Sequence, residues 1–133
     1  MSLRTRAAAA LLALAASAAL AVPAHADAES PPKPRGLFLT VSGAENTWIR
    51  GVLLWCAPEP GGPHPDAAGA CRALAAAGGV LDKLPQDPHP CTKQYEPVTA
   101  SATGTYQGRP VAWHRTFPNA CTLDAATGAV FRF

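Results

Sequence analysis

Runs of β-branched, aromatic and other apolar residues, bounded by turn-forming residues, recur along the chain. Short runs of this kind are typical of β-strands. We predict strands at 37–42, 48–56, 98–106, 111–117 and 129–133. Gln107 and Gly108 are turn formers between the third and fourth strands, which predicts a hairpin there. Pro110 has no amide hydrogen, so we expect it at a strand start or on a sheet edge.

One segment has the apolar spacing of a helix. Pro65 and Asp66 suit the first turn, because a helix leaves the amides of that turn unpaired and its N-terminus attracts a carboxylate. Gly78 and Gly79 follow the last periodic position and predict the end of the helix. The residues on its inner face are Ala67, Ala70, Cys71 and Leu74.

The C-terminal quarter shows less regularity. Residues 119–127 are predicted to be irregular, with room for a short helical turn. Strands joined by a hairpin and short links, with one helix inserted, predict an α+β fold with an antiparallel sheet.

The N-terminal segment has the organisation of a secretory signal peptide. Arg4 and Arg6 precede an Ala- and Leu-rich run at 7–21, and Ala24-His25-Ala26 follows with the small residues that signal peptidase recognises. We predict a signal peptide at 1–26, a flexible arm at 27–35 and one secreted domain at 36–133. A membrane anchor is the alternative, but the apolar run is short and the cleavage pattern follows it at once.

Charge argues against a polyanionic partner. The formal net charge is +2, from 11 basic and 9 acidic side chains. Arg4 and Arg6 leave with the signal peptide, so the secreted part is close to neutral and its charges are scattered. Such a domain lacks the basic surface that binds nucleic acid or an anionic membrane, and we expect neither partner.

The four cysteines all lie in the predicted secreted part: Cys56, Cys71, Cys91 and Cys121. An even number in an oxidising compartment predicts two disulfides, and the sequence alone leaves three pairings open. A zinc site is the alternative, but no CxxC pair is present and the spacing fits no standard site. We expect no metal ion and no other cofactor.

The sequence offers no recognisable catalytic centre. It contains no GxSxG turn and no segment typical of a Ser-His-Asp triad. A cysteine nucleophile would need a free thiol, which two disulfides would leave unavailable. The three tryptophans lie in strand segments, where such residues more often serve the core or sheet surface than a ligand site. We predict that the protein is not an enzyme.

The segment 87–98 has a different character from its surroundings. Prolines bracket it, helix signals are weak, and Cys91 stands two residues before Lys93. A stiff extended segment is what a protease cleft accepts, and a preorganised one loses little conformational entropy on docking. From composition alone, an ordinary surface loop with an exposed lysine is the alternative.

Four markers in order resemble the Streptomyces subtilisin inhibitor family, and the resemblance runs from about 37 to 133, nearly the whole predicted secreted chain. All four cysteines occupy family positions. Pro63 and Pro110 depart from the family pattern but lie outside the segment around Lys93. The markers are 56–65 with 70–74, 91–98, 106–109 with 117–121, and 130–133.

The resemblance implies a specific fold and assembly. The fold would be α+β, with a five-stranded antiparallel sheet, two helices and two disulfides. The implied pairs are Cys56–Cys71 and Cys91–Cys121, and the implied assembly is a homodimer.

The resemblance also implies inhibition of serine proteases through a reactive bond, Lys93–Gln94. Lys93 would enter the primary specificity pocket of the protease, and Asn119 would support the loop from behind. The remaining protease-binding residues would be Cys91, Thr92, Tyr95 and Glu96.

Lysine at the reactive bond indicates the class of target. It suits trypsin-like enzymes, whose pocket ends in a carboxylate. Subtilisin-like enzymes can accept the lysine stem while the ammonium reaches solvent. The alternative is a secreted binding or structural module that has this scaffold without inhibitory activity.

Overall fold

The computed structural model describes residues 35–133. The predicted signal peptide and all but the last residue of the predicted arm lie outside the described residues. Four antiparallel strands form one sheet in the order β2-β1-β3-β4. The strands are β1 Leu37–Gly43, β2 Ile49–Leu54, β3 Val98–Tyr106 and β4 Arg109–Phe117, and the helices are α1 Ala67–Ala76 and α2 Ala120–Thr127. No helix within 35–133 is both long and apolar enough to cross a membrane.

The core lies between one face of the sheet and the two helices. Leu39 of the central strand β1 is fully buried and is paired with Ala102 of β3, which is also fully buried. Leu74 of α1 and Leu123 of α2 belong to the same apolar cluster. Because alternate residues of a strand point to opposite faces, Phe38 lies on the other face and is exposed.

The hairpin between β3 and β4 turns as the sequence predicts. Gln107 and Gly108 both have positive φ, 50° and 76°, which is what a tight two-residue hairpin turn requires. Pro110 lies on β4, an edge strand of the sheet, and is paired with Thr105 of β3. The missing amide hydrogen therefore falls where the sheet can tolerate it.

Helix α1 also follows its sequence signals. The carboxylate of Asp66 accepts a hydrogen bond from the amide of Gly69, 2.9 Å away, and caps the helix. Cys71 lies on the buried face and forms a disulfide with Cys56. This bond ties the helix to the chain just beyond the end of β2.

The prediction for residues 119–127 was incomplete, because α2 occupies most of this segment. Asn119 caps it by accepting a hydrogen bond from the amide of Thr122, 2.8 Å away. The Thr122 side chain in turn accepts a hydrogen bond from the backbone amide of Asn119, which completes a capping box. The two helices implied by the family resemblance are thus both present.

The predicted fifth strand at 129–133 is wrong. Gly128–Phe131 form a 3-10 turn directly after α2. Nε2 of His64 donates to the carbonyl of Val130, 3.0 Å away, while Nδ1 of the same ring accepts from the amide of Asp66. A side chain from a distant loop therefore satisfies this carbonyl, and the buried Val130 packs near α1 instead of pairing in the sheet. The described residues form four strands and not five.

Candidate functional site

An irregular, largely exposed segment connects the short 3-10 turn at Leu81–Lys83 to the start of β3. We call residues 92–96 the presented loop and residues 87–91 its stem. Every residue of the presented loop is exposed, and the side chain of Tyr95 is 77% accessible. Val98 is buried at the start of β3, so the loop leaves the body of the protein and returns within a few residues.

A disulfide fixes the N-terminal end of the presented loop. Cys91 is bonded to Cys121 in the first turn of α2, with the two Cα atoms 5.7 Å apart. The second bond, Cys56–Cys71, lies elsewhere in the domain. Both pairings agree with those that the family resemblance implies.

Asn119 contacts the loop on both sides of Lys93. Its Nδ2 donates to the carbonyl of Gln94 at 2.8 Å and to the carbonyl of Thr92 at 3.3 Å. The same side chain accepts through Oδ1 from the amide of Thr122, and the residue is buried, with 8% exposure. Because the cap fixes this side chain to α2, its amide group is preorganised beneath the loop.

A backbone–backbone hydrogen bond holds the C-terminal end of the loop. The amide of Glu96 donates to the carbonyl of Pro118, 2.9 Å away. The segment at the start of α2 therefore binds the loop through Cys121, Asn119 and Pro118. Lys93 lies exposed between the anchored positions, which leaves its backbone and side chain accessible to a partner.

A network of charged side chains lies against the stem. Arg132 donates to both carboxylate oxygens of Asp124, at 2.5 and 3.0 Å, and also to Asp87. Nε2 of His89 lies 2.7 Å from Asp124. The hydrogen bond with Asp124 raises the pKa of His89, and the hydrogen bonds from Arg132 lower the pKa of Asp124. Sequence reasoning missed this network, since its members come from three separate segments and form no local motif.

His89 also lies beside the Cys91–Cys121 disulfide. One of its ring nitrogens and the two sulfur atoms lie within 4.8 Å of one another. The sulfur atoms are bonded to each other, so they offer no thiolate to a metal ion. A cavity of about 590 Å³ lies near Trp55 and Tyr106, and no residue of the presented loop lines it.

The chain is similar in sequence to a known protein family and to several of its members. The model of the subtilisin inhibitor-like family matches residues 33–119. A subtilisin inhibitor of Streptomyces violaceus is 44% identical over 107 residues, covering 76% of this chain and 73% of the relative. Subtilisin inhibitor-like protein 5 of Streptomyces fradiae is 42% identical over 105 residues, covering 75% of this chain and 98% of the relative.

The chain is also similar to an inhibitor of known structure. Streptomyces caespitosus sermetstatin, in complex with Bacillus licheniformis subtilisin, is similar with a TM-score of 0.62 and 34% identity. The match covers 74% of this chain and 97% of that chain. From the family match and these relatives, the chain belongs to the subtilisin inhibitor-like family, a family of inhibitors and not of enzymes.

Proposed function

We propose that the protein is a secreted, substrate-like inhibitor of serine endopeptidases, and that Lys93–Gln94 is its reactive bond. The observation that carries this proposal is the pair of hydrogen bonds from Asn119 to the carbonyls of Thr92 and Gln94. They hold the residues on either side of Lys93 without covering Lys93 itself. Family membership and the subtilisin complex of a relative support the same conclusion.

The mechanism follows from how the two ends of the bond are held. The protease serine attacks the carbonyl carbon of Lys93, and the peptide bond breaks to give an acyl-enzyme and the free amine of Gln94. The Cys91–Cys121 disulfide holds the acyl side, while Asn119 and the Glu96–Pro118 hydrogen bond hold the amine side. The amine therefore stays close enough to attack the acyl-enzyme, which restores the peptide bond and releases the serine.

Lys93 defines the class of target in this proposal. A trypsin-like pocket offers its ammonium a carboxylate, and a charge pair desolvated in this way has a large effect on complex lifetime. A subtilisin-like pocket accepts the aliphatic stem with the ammonium directed toward solvent. Inhibition of both enzyme classes is therefore expected.

Secretion and dimer formation complete the proposal. The predicted signal peptide at 1–26 supports export. The outer sheet face carries an apolar patch, where Phe38 of β1 is paired with Leu53 of β2 and both residues are nearly half exposed. Ile49 and Trp55 lie on the same face and are also exposed. A homodimer would bury this patch against a second copy.

The deciding experiment is a titration of trypsin and subtilisin, each calibrated for active sites, with the purified oxidised protein. Stoichiometric inhibition, with slow cleavage confined to Lys93–Gln94 by mass analysis, is the expected result. Rapid digestion, or no inhibition of either enzyme, would instead favour a binding or structural module on the same scaffold.

A further inference from the structure

The stem that leads into the presented loop is held at two levels. At the backbone, the amide of Asp87 donates to the carbonyl of Ala125 in α2, 2.9 Å away. At the side chains, Arg132 joins Asp87 of the stem to Asp124 of α2. A guanidinium that donates to both oxygens of one carboxylate has a defined orientation, so Arg132 fixes the stem relative to the helix.

His89 connects this ion-pair network to the disulfide of the loop. Its Nε2 lies 2.7 Å from Asp124, and its Nδ1 lies 3.7 Å from the sulfur of Cys91 and 3.6 Å from that of Cys121. The imidazole therefore lies between the helix and the covalent anchor of the loop. The next residue, Pro90, has a backbone carbonyl that favours the protonated ring.

The charges near His89 balance only when the ring is protonated. The groups around it are Asp124 from α2, Asp87 from the stem and Arg132 from the C-terminal segment. Two carboxylates and one guanidinium leave one negative charge, which a protonated His89 neutralises. Protonation also gives the ring a second N–H group, which can bind the carbonyl of Pro90.

We propose that Asp87, His89, Asp124 and Arg132 form a clamp on the stem, and that protonation of His89 tightens it and so slows cleavage of the inhibitor. This inference rests on the proposed function, since it concerns the persistence of the Lys93–Gln94 bond. All four are positioning residues, because they act through the stem and the disulfide and do not contact the reactive bond.

The physical effect is on the two ends produced by cleavage. When the bond breaks, the covalent path from the Lys93 end to the body runs through Thr92 to Cys91, and from there through the disulfide and the stem, while Asn119 adds a hydrogen bond to the Thr92 carbonyl. A fixed stem keeps that end near the amine of Gln94, so resynthesis of the bond remains fast relative to its hydrolysis by water. A mobile stem lets the ends separate, and the inhibitor then behaves more like a substrate.

The test measures cleavage at Lys93–Gln94 by catalytic amounts of subtilisin, from about pH 5.5 to about pH 8.5, on both sides of the ordinary histidine range. The variants are His89→Gln, Arg132→Gln and Arg132→Lys. Matched controls are His114→Gln on β4 and Arg72→Gln on α1, two exposed residues without an ion pair within 35–133. Each cleavage rate is divided by that of the wild type at the same pH, so the titration of the protease cancels.

The expected pattern differs between the variants. His89→Gln should be cleaved about two- to fivefold faster than wild type at the acid end, with the ratio falling toward one at the alkaline end. Arg132→Gln should be faster at every pH, since arginine does not titrate in this range. Arg132→Lys should be cleaved more slowly than Arg132→Gln but faster than the wild type. Both controls should be cleaved at the wild-type rate.

A second readout separates failure of the clamp from failure of the proposed function. Amide hydrogen exchange at Cys91 and Thr92 is measured on the free inhibitor, without any protease. The exchange rate of each variant, divided by that of the wild type at the same pH, should follow the pattern expected for the cleavage rates. If the wild type does not inhibit, exchange alone decides whether the clamp exists. The inference would be overturned if His89→Gln and Arg132→Gln exchanged these amides at the wild-type rate. It would also be overturned if the cleavage rate of His89→Gln relative to wild type did not change with pH.

Discussion

The side-chain nitrogen of Asn119 lies 2.8 Å from the carbonyl oxygen of Gln94, in the loop, while the oxygen of the same side chain caps helix α2. One amide group thus links the order of the loop to the order of the helix. This link explains how a segment with no regular secondary structure can hold a defined shape. It also means that the two roles of Asn119 must be separated experimentally.

Replacing Asn119 should convert the inhibitor toward a substrate. Each neutral hydrogen bond contributes about 1 kcal/mol, so losing both loop contacts should accelerate cleavage at Lys93–Gln94 about tenfold or more. The variants are Asn119→Ala and Asn119→Ser. Serine still caps a helix, but its short side chain has no amide to donate to the loop.

The two variants should therefore differ in unfolding free energy, but both should be cleaved by subtilisin at a similar, increased rate. Asn119→Ala should lose about 1 kcal/mol of unfolding free energy through the lost cap, and Asn119→Ser much less. Urea unfolding and timed mass analysis with subtilisin measure the two properties. If Asn119→Ser persisted as long as the wild type, the loop contacts would have no supporting role.

Removal of the Cys91–Cys121 disulfide should affect inhibition more than removal of the other bond. Chain entropy predicts a loss of about 3–4 kcal/mol for Cys91→Ala with Cys121→Ala, and a similar loss for Cys56→Ala with Cys71→Ala. Only the first pair anchors the presented loop. At a temperature where both variants are folded by circular dichroism, the first should be cleaved rapidly at Lys93–Gln94 and the second slowly. Equal cleavage would show that the disulfide acts through global stability alone.

Substitution of Lys93 should separate the two target classes. Lys93→Asp should weaken trypsin inhibition at least about a hundredfold, because a carboxylate would face the pocket carboxylate. Lys93→Met should lose trypsin inhibition and retain subtilisin inhibition, since an apolar pocket accepts its stem. Lys93→Arg is the matched control and should inhibit both enzymes. Inhibition constants from progress curves decide, and unchanged trypsin inhibition by Lys93→Asp would show that the reactive bond lies elsewhere.

Elements defined by local signals were predictable from the sequence. The strands and α1 were found because their apolar spacing and turn residues act within a few positions. Helix α2 was underestimated because it is short and its start depends on Asn119, a residue that also occurs in loops. The strand at 129–133 was wrong because the partner of Val130 is His64, and no local pattern reveals a contact between residues so far apart in the chain.

The candidate site was predictable in a similar, partial way. Lys93, Gln94 and Asn119 are proposed as site residues through the family resemblance, since composition alone leaves an ordinary loop as the alternative. The contacts of Arg132 with Asp87 and Asp124 could not be predicted, because ion pairs between distant segments depend on the folded geometry. Family motifs thus located the loop, while the structure was needed to find what holds its stem.

The exposed apolar sheet face predicts the effect of a charge on assembly. Leu53→Asp should convert a dimer into a monomer in sedimentation equilibrium, because dimer formation would bury the new carboxylate among apolar side chains. Val80→Asp is the control, since Val80 is equally exposed, at 44% against 45% for Leu53, and lies outside the sheet. Inhibition per chain should be unchanged in both variants. Equal association of wild type and Leu53→Asp would place any dimer contact on another surface.

The carboxylate of Asp124 should make stability depend on pH within a limited window. Hydrogen bonds from Arg132 hold the pKa of Asp124 below its ordinary value of 3.8, so this contribution is present above about pH 3.8 and disappears as the pH falls through the folded-state pKa. The hydrogen bond with Asp124 raises the pKa of His89 above 6.5, so that contribution is complete below about pH 6.5 and disappears at higher pH.

The difference in unfolding free energy between wild type and Asp124→Asn should therefore be largest between these two values. It should shrink in stronger acid, and shrink in part in alkali, where Arg132 still contacts the carboxylate. Urea unfolding at about pH 3, 5 and 8.5 samples the three regions. Glu59→Gln is the matched control, because Glu59 is exposed and has no ion pair within residues 35–133. A constant difference across all three pH values would mean that Asp124 stabilises the fold by its shape and not by its charge.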